Sequence, residues 1–201
     1  ISMTAQKVMV AFSGGKDSTA SILLLKKKYE VQAVTMKLGL EGEEKKIKKI
    51  KNLAKTLNTR LHIVDFEQPF KDAVIDYFTN SYKQGFTPNP CAVCNQIIKF
   101  KKLKEFVFKE KLADFYATGH YADKIKIGKT FFLKEPIEQK KSQIYFLSLI
   151  GGKTLEKTLF PLARKKIIEV KEMVKDLSLA NIKESQDVCF LQNRNLMEYL
   201  K

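Results

Sequence analysis

Cysteine and histidine are scarce in this 201-residue chain, which holds three of the first and two of the second. Cys91, Cys94 and Cys189 are too few for the disulfide framework of a small secreted domain, so a reducing, cytoplasmic compartment is expected. A structural zinc site needs four ligands and would have to borrow His62 or His120. Acidic residues are also in short supply. Asp and Glu number 22 against 37 Lys and Arg, a net charge of +15, and such an excess favours a polyanionic partner. No apolar run reaches the length of a membrane span and no signal-peptide pattern opens the chain. No basic helix carries an aromatic, lipid-facing stripe either, so RNA is expected rather than a membrane. Two nucleotide signatures are missing as well: the dinucleotide G-x-G-x-x-G fingerprint and the Walker A loop G-x-x-x-x-G-K-[ST].

A different glycine turn is present. Ser13-Gly14-Gly15-Lys16-Asp17-Ser18 follows the apolar run Val8 to Phe12 and precedes the apolar run Ala20 to Leu25. Strand, glycine turn and helix place backbone N–H groups and a helix N-terminus around an anion. Gly14 and Gly15 allow unusual φ values and close approach to phosphate. Ser13 and Ser18 offer hydroxyls, Lys16 a positive charge, and Asp17 a carboxylate for Mg²⁺. The hexapeptide resembles the pyrophosphate loop (PP-loop) of enzymes that split ATP into AMP and pyrophosphate. The bland alternative is a plain strand-to-helix turn.

The chain alternates strand and helix patterns. Strands are expected at 7–12, 31–36, 61–66 and 115–119, and helices at 18–29, 43–58, 69–83 and 95–111. The last of these reads as basic outside and apolar at Ile98, Leu103, Phe106 and Val107. A basic hairpin over 124–133 and helices at 142–150 and 166–177 complete the pattern. The expected fold is α/β: a parallel, Rossmann-like sheet covered by helices on both faces. Ligands of such sheets sit at the carboxyl ends of the strands, where Ser13, Met36 and Gly119 fall.

A second constellation is the loop Phe86-Thr87-Pro88-Asn89-Pro90-Cys91-Ala92-Val93-Cys94-Asn95. Pro88 and Pro90 stiffen it. Cys94 lies near the start of the next helix, where the helix dipole favours thiolate. Cys189 could face this pair across a site. Buried free thiols, a zinc knuckle, and redox or sulfur chemistry are the competing readings.

The strings SGGKDS (13–18), TPNPCAVCN (87–95), ATGHYA (117–122), KSQIYFL (141–147), FPL (160–162) and ESQDVCF (184–190) occur in that order. Together they resemble the catalytic part of the tRNA-specific 2-thiouridylases (MnmA/TrmU family), from about Val8 to about Leu200. The resemblance implies the adenine nucleotide α-hydrolase/PP-loop fold, with a catalytic domain over 1–150 and a helical extension over 151–201 that carries the second catalytic cysteine. It implies an enzyme that uses ATP and Mg²⁺ to replace the 2-oxygen of a tRNA wobble uridine by sulfur. Ala11, Phe12, Ser13, Gly14, Gly15, Lys16, Asp17, Ser18, Met36 and Gly119 would bind ATP. Cys94 would be the nucleophile, Cys189 the persulfide carrier, and Asp17 a further catalytic residue. Asn89, Pro90, Cys91, His120, Lys141, Ser142 and Gln143 would meet the tRNA and its target base.

Three departures from that family stand out. Many relatives carry Asp at Cys91, Val at Lys16 and Asp at Ser142. Lys16 and a third thiol resemble cluster-dependent tRNA thiolation enzymes, in which Cys91, Cys94 and Cys189 would hold a [4Fe-4S] cluster. The partners implied are tRNA and a sulfur-donor protein or inorganic sulfide. Rival readings are a PP-loop amidoligase that uses ammonia, and a non-catalytic tRNA- or cluster-binding module. Relatives usually continue into a small central domain and a β-barrel.

Overall fold

The computed structural model of the protein describes residues 5–179, 188–192 and 194–200. Five strands form one parallel sheet: β1 (Lys7–Ala11), β2 (Glu30–Lys37), β3 (Leu61–Asp65), β4 (Phe115–Thr118) and the two-residue β7 (Thr158–Leu159). Their spatial order is β3-β2-β1-β4-β7. β5 (Asp123–Ile127) and β6 (Thr130–Lys134) make a separate antiparallel hairpin. The helices are α1 (Lys16–Leu25), α2 (Glu43–Thr56), α3 (67–83), α4 (90–109), α5 (Gly152–Glu156), α6 (Ile167–Met173) and α7 (Leu196–Leu200). Two of them contain π-helical stretches, Lys71–Ile75 in α3 and Cys94–Leu103 in α4.

Alternation along β1 explains why both faces of the sheet are covered. Successive side chains point to opposite sides of a strand. Val8 and Val10 pack with Ile22 and Leu25 of α1 and Ile50 and Ala54 of α2. Met9 packs the other way, with Phe100, Leu103 and Val107 of α4 and Leu155 of α5. The α/β expectation holds, and the sheet continues past residue 150. β7 pairs with β4, and Phe160 joins the Met9 cluster, so 151–160 contributes to the same sheet and core.

Three local expectations differ from the structure. The 142–150 segment forms only a 3₁₀ turn, Ile144–Leu147. Gln143 is committed elsewhere: its N–H donates to the Tyr121 carbonyl (2.9 Å), and its Oε1 accepts from the Tyr121 N–H (2.9 Å). The 166–177 helix ends as α at Met173 and finishes in a 3₁₀ turn, Lys175–Leu177. The cysteine loop folds into helix early, because Pro90 occupies a first-turn position and the Asn89 side chain caps the Ala92 N–H at 3.0 Å. Among the described residues no helix is long and apolar enough to cross a membrane.

Candidate active site

The chain leaves β1 between two neighbours, β2 on one side and β4 on the other. This is the point where an open α/β sheet opens a crevice at its carboxyl edge. A cavity of about 260 Å³ sits there. Its wall includes Ala11, Phe12, Ser13, Asp17 and Ser18 from the β1–α1 turn, Met36 from β2, and Gly119 and His120 after β4. Gln143, Lys46 of α2 and Lys99 of α4 complete the parts that matter below.

Backbone geometry shapes the turn. Gly14 has φ +76°, and a Cβ there would stand 2.8 Å from Cγ1 of buried Ile50. Gly119 has no such φ; its role is close approach. A Cβ on it would lie 2.8 Å from the Ser18 N and 2.9 Å from the Asp17 carbonyl carbon, so only glycine lets α1 begin this close to the end of β4. The serines hold the turn together. Ser18 Oγ donates to the Gly15 carbonyl (3.1 Å) and accepts from the Ser13 N–H (3.3 Å), while Ser13 Oγ accepts from the Gly15 N–H (3.4 Å).

Gly14, Gly15 and Lys16 do not line the cavity. The Lys16 side chain is only 5% exposed, with its Nζ 3.5 Å from Asp17 Oδ2. Lys141 approaches the same carboxylate at 3.8 Å and lies over the Tyr121 ring. Burial pushes Lys141 down to about 8; Asp17 opposes that shift and Lys16 adds to it. Burial chiefly, and then the Asp17 carboxylate, push the Tyr121 hydroxyl up. Asp17 is thus clasped by two lysines on one side and faces the cavity on the other.

The thiols gather beside this cavity without lining it. Cys91 and Cys189 are exposed, and Cys94 is half-buried. Phe190 carries Cys189 to the others: it is buried against Phe70 and Phe78 in a cluster that also takes in Cys94 and Ile98. On the other flank Gln192 Nε2 donates to the Glu41 carbonyl (2.8 Å), tying the Cys189 segment to the turn before α2. Glu184 to Asp187 of the ESQDVCF string lie outside the described residues. Burial pushes the Cys94 thiol up to about 11, Lys99 pulls it down, and Cys189 and Cys91 push it further up. Cys91 and Cys189 are raised for the same first reason, and Lys99 opposes both. The thiolate preference expected at the start of this helix is therefore reversed by burial. Cys94 stands a full turn inside α4, where the dipole has faded.

Among the described residues no three His, Cys, Asp or Glu side chains are grouped to hold a metal ion. His62, a candidate zinc ligand, instead pairs through Nε2 with Gln32 Oε1 across β3 and β2 (2.7 Å). His120 is held with Nδ1 2.9 Å from Thr118 Oγ1, and burial with the Lys99 charge keeps it neutral. Asn89 caps α4 and Pro90 begins it. Ser142 Oγ is buried with no hydrogen-bond partner among the described residues. Sequence reading missed Lys99 and Lys46. Lys99 sits in a lysine run that reads as a solvated face, yet its side chain reaches the cavity wall.

A family profile described as "tRNA methyl transferase HUP domain" matches residues 6–193. The chain is 42% identical over 190 residues to the tRNA-specific 2-thiouridylase MnmA of Syntrophomonas wolfei, covering 92% of this chain and 55% of that protein. It is 39% identical over 197 residues to MnmA 1 of Fusobacterium nucleatum, covering 96% and 52%. The chain thus spans about half the length of the curated relatives it matches. Among solved structures, the NMN synthetase of Francisella tularensis superposes with a TM-score of 0.57 at 13% identity, over 90% of this chain and 67% of that one. The NH3-dependent NAD synthetase of Campylobacter jejuni gives 0.54 at 16%, over 89% and 66%. Both likenesses concern the fold. With the profile match covering nearly its whole length, the chain belongs to the tRNA methyl transferase HUP domain family.

Proposed function

We propose that this chain is the catalytic part of an ATP-dependent tRNA sulfurtransferase that converts a wobble uridine to 2-thiouridine. The observation that carries the reading is that Lys99 stands in the wall of the PP-loop cavity and its charge also acts on both Cys94 and Cys189. Similarity to the tRNA-specific 2-thiouridylases supplies the substrate class.

A carbonyl oxygen is a poor leaving group, and adenylation turns it into a good one. The uridine 2-oxygen attacks the α-phosphorus of ATP, the bond to the β-phosphate breaks, pyrophosphate departs, and the uridine N3 proton is lost. Ser13, the β1–α1 turn and the gap left by Gly119 bind the nucleotide. Asp17 suits Mg²⁺, which binds through one or two carboxylates plus substrate phosphates and would offset the pyrophosphate charge when bound.

Cys189, exposed and held by Phe190, takes sulfane sulfur from a donor protein by persulfide exchange. The terminal sulfur of that persulfide anion attacks C2, the C2–O bond breaks, and AMP leaves. Cys94 thiolate then attacks the Cys189 sulfur. The S–S bond to the substrate breaks with its electron pair on the substrate sulfur, N3 takes back a proton to give the 2-thiocarbonyl, and a Cys94–Cys189 disulfide remains for an external dithiol to reduce. No step of this reaction runs through a [4Fe-4S] cluster. Asn89, Cys91, His120, Lys141, Ser142 and Gln143 form the surface that would meet the target nucleotide.

The test follows tRNA-dependent pyrophosphate release and 2-thiouridine formation in parallel. Cys94→Ala and Cys189→Ala are each expected to lower 2-thiouridine by more than about 10²-fold while pyrophosphate release persists. Full thiolation in both variants would overturn the thiol roles, whereas pyrophosphate release that needs neither cysteine and yields no 2-thiouridine in the wild type would favour an ammonia-using ligase. Binding of tRNA without any pyrophosphate would favour a non-catalytic module.

A further inference from the structure

Lys99 is the one described residue that both lines the nucleotide cavity and acts electrostatically on Cys91, Cys94 and Cys189 together. Its position follows from an unusual stretch of helix. Residues five apart on an α-helix lie about 140° from each other. A π-helix bonds i to i+5 and brings such a pair to nearly the same side, and π segments concentrate at functional sites. Cys94 and Lys99 are five apart, and Cys94–Leu103 is π-helical. Fully buried Tyr116 on β4 fixes this register: its hydroxyl donates to the Lys99 carbonyl at 3.0 Å.

The charges around Lys99 are informative as well. None of the ion pairs between described residues involves it. Cys91, Cys94 and His120 face it from α4 and the β4 end, and Cys189 faces it from the 188–192 segment. Lys46 of α2 is a second cation near Cys189, the Tyr116 hydroxyl is close enough to Cys94 to feel its charge, and the Tyr199 hydroxyl close enough to feel that of Cys189.

In the proposed reaction two anions must meet here, the adenylate phosphate in the cavity and the persulfide sulfur from the thiol side. Their repulsion opposes the attack, and a fixed cation between them removes it at no reorganisation cost. We propose that Lys99 is a catalytic residue whose ammonium bridges the adenylated uridine and the incoming sulfur anion, and that Tyr116 is the positioning residue that holds it there. The inference rests on the sulfurtransferase reading. It assigns Lys99 to the sulfur-transfer half of the reaction rather than to adenylation.

The experiment measures both halves in the wild type, Lys99→Met, Lys99→Arg and Tyr116→Phe, with melting curves to confirm folding. Lys99→Met is expected to lose about 10²-fold in 2-thiouridine formation while pyrophosphate release stays within a few-fold, so pyrophosphate outruns product. Lys99→Arg is expected to recover most of the loss, and Tyr116→Phe to show the same uncoupling more weakly. Unchanged thiolation in Lys99→Met would overturn the proposal. So would an equal fall in both halves that arginine does not rescue, because that is the mark of a structural or simple nucleotide-binding role. A wild type that forms no 2-thiouridine would instead sink the sulfurtransferase reading, which keeps the two failures apart.

Discussion

At Cys94 two effects oppose each other. Burial favours the neutral thiol and carries it up to about 11, while the Lys99 charge favours the thiolate and offsets the shift only in part. At neutral pH the fraction ionised is therefore small, and it grows about tenfold with each pH unit until the pH nears that value. Alkylation of Cys94 by iodoacetamide, followed by peptide mass spectrometry, is expected to accelerate about tenfold per unit between pH 7 and 9. A plateau reached below pH 9 would contradict the burial argument. His120 behaves in the opposite sense. Burial disfavours its charged form, as does Lys99, so it meets a substrate as a neutral ring across the same range.

Within α4, the cap at Asn89 and the π stretch after it set where the thiols stand. Asn89 Oδ1 accepts the Ala92 N–H, and Asn95 Nδ2 reaches the Phe146 carbonyl (2.9 Å), fastening the 144–147 turn beside the cysteines. Asn89→Ala is expected to cost about 1 kcal/mol and to lower the melting temperature by about 2–4 °C, whereas Asn89→Asp keeps an acceptor and should melt like the wild type. An unchanged melting curve in the alanine variant would remove the cap from the account. If aspartate restores melting but not thiolation, the amide serves the substrate as well. The strands and the SGGKDS turn were legible in the sequence because each is a local pattern: an apolar run, two glycines, a second apolar run. The π stretch was not: Ile98 and Leu103 stand five apart, as one side of a π-helix requires, but a single such pair beside the α-spaced Leu103, Phe106 and Val107 reads as part of an ordinary α-helical face. β7 escaped notice because two residues carry no period at all. Lys104 looked solvated yet is 8% exposed, donating to the Thr154 carbonyl and to Thr158 Oγ1, and only tertiary contacts could reveal that.

Across the whole molecule the charge is lopsided, with 37 basic side chains against 22 acidic ones. Part of the excess gathers at the cavity and along a second cleft. Lys46 and Lys99 stand in the cavity wall, and the larger open cleft of about 750 Å³ along α4 is lined by Lys101, Lys104, Lys109 and Lys153, with Glu105 as its acid. Lys104 is already bonded within the protein, so Lys101, Lys109 and Lys153 are the ones available to phosphates. Each phosphate neutralised releases condensed counterions and adds nearly one to the slope of log affinity against log salt. Three lysines in the cleft with one or more at the cavity give a slope of about −4, so tRNA affinity is expected to fall roughly 10²-fold between 50 and 200 mM salt. Lys101→Glu and Lys153→Glu should each flatten that slope by about one, while Lys48→Glu on exposed α2 should leave it alone. A steep wild-type slope that all three variants share would place the phosphate track on another face. A flat wild-type slope would mean that the positive excess is not used for RNA, and the sequence-level inference from +15 would fail with it.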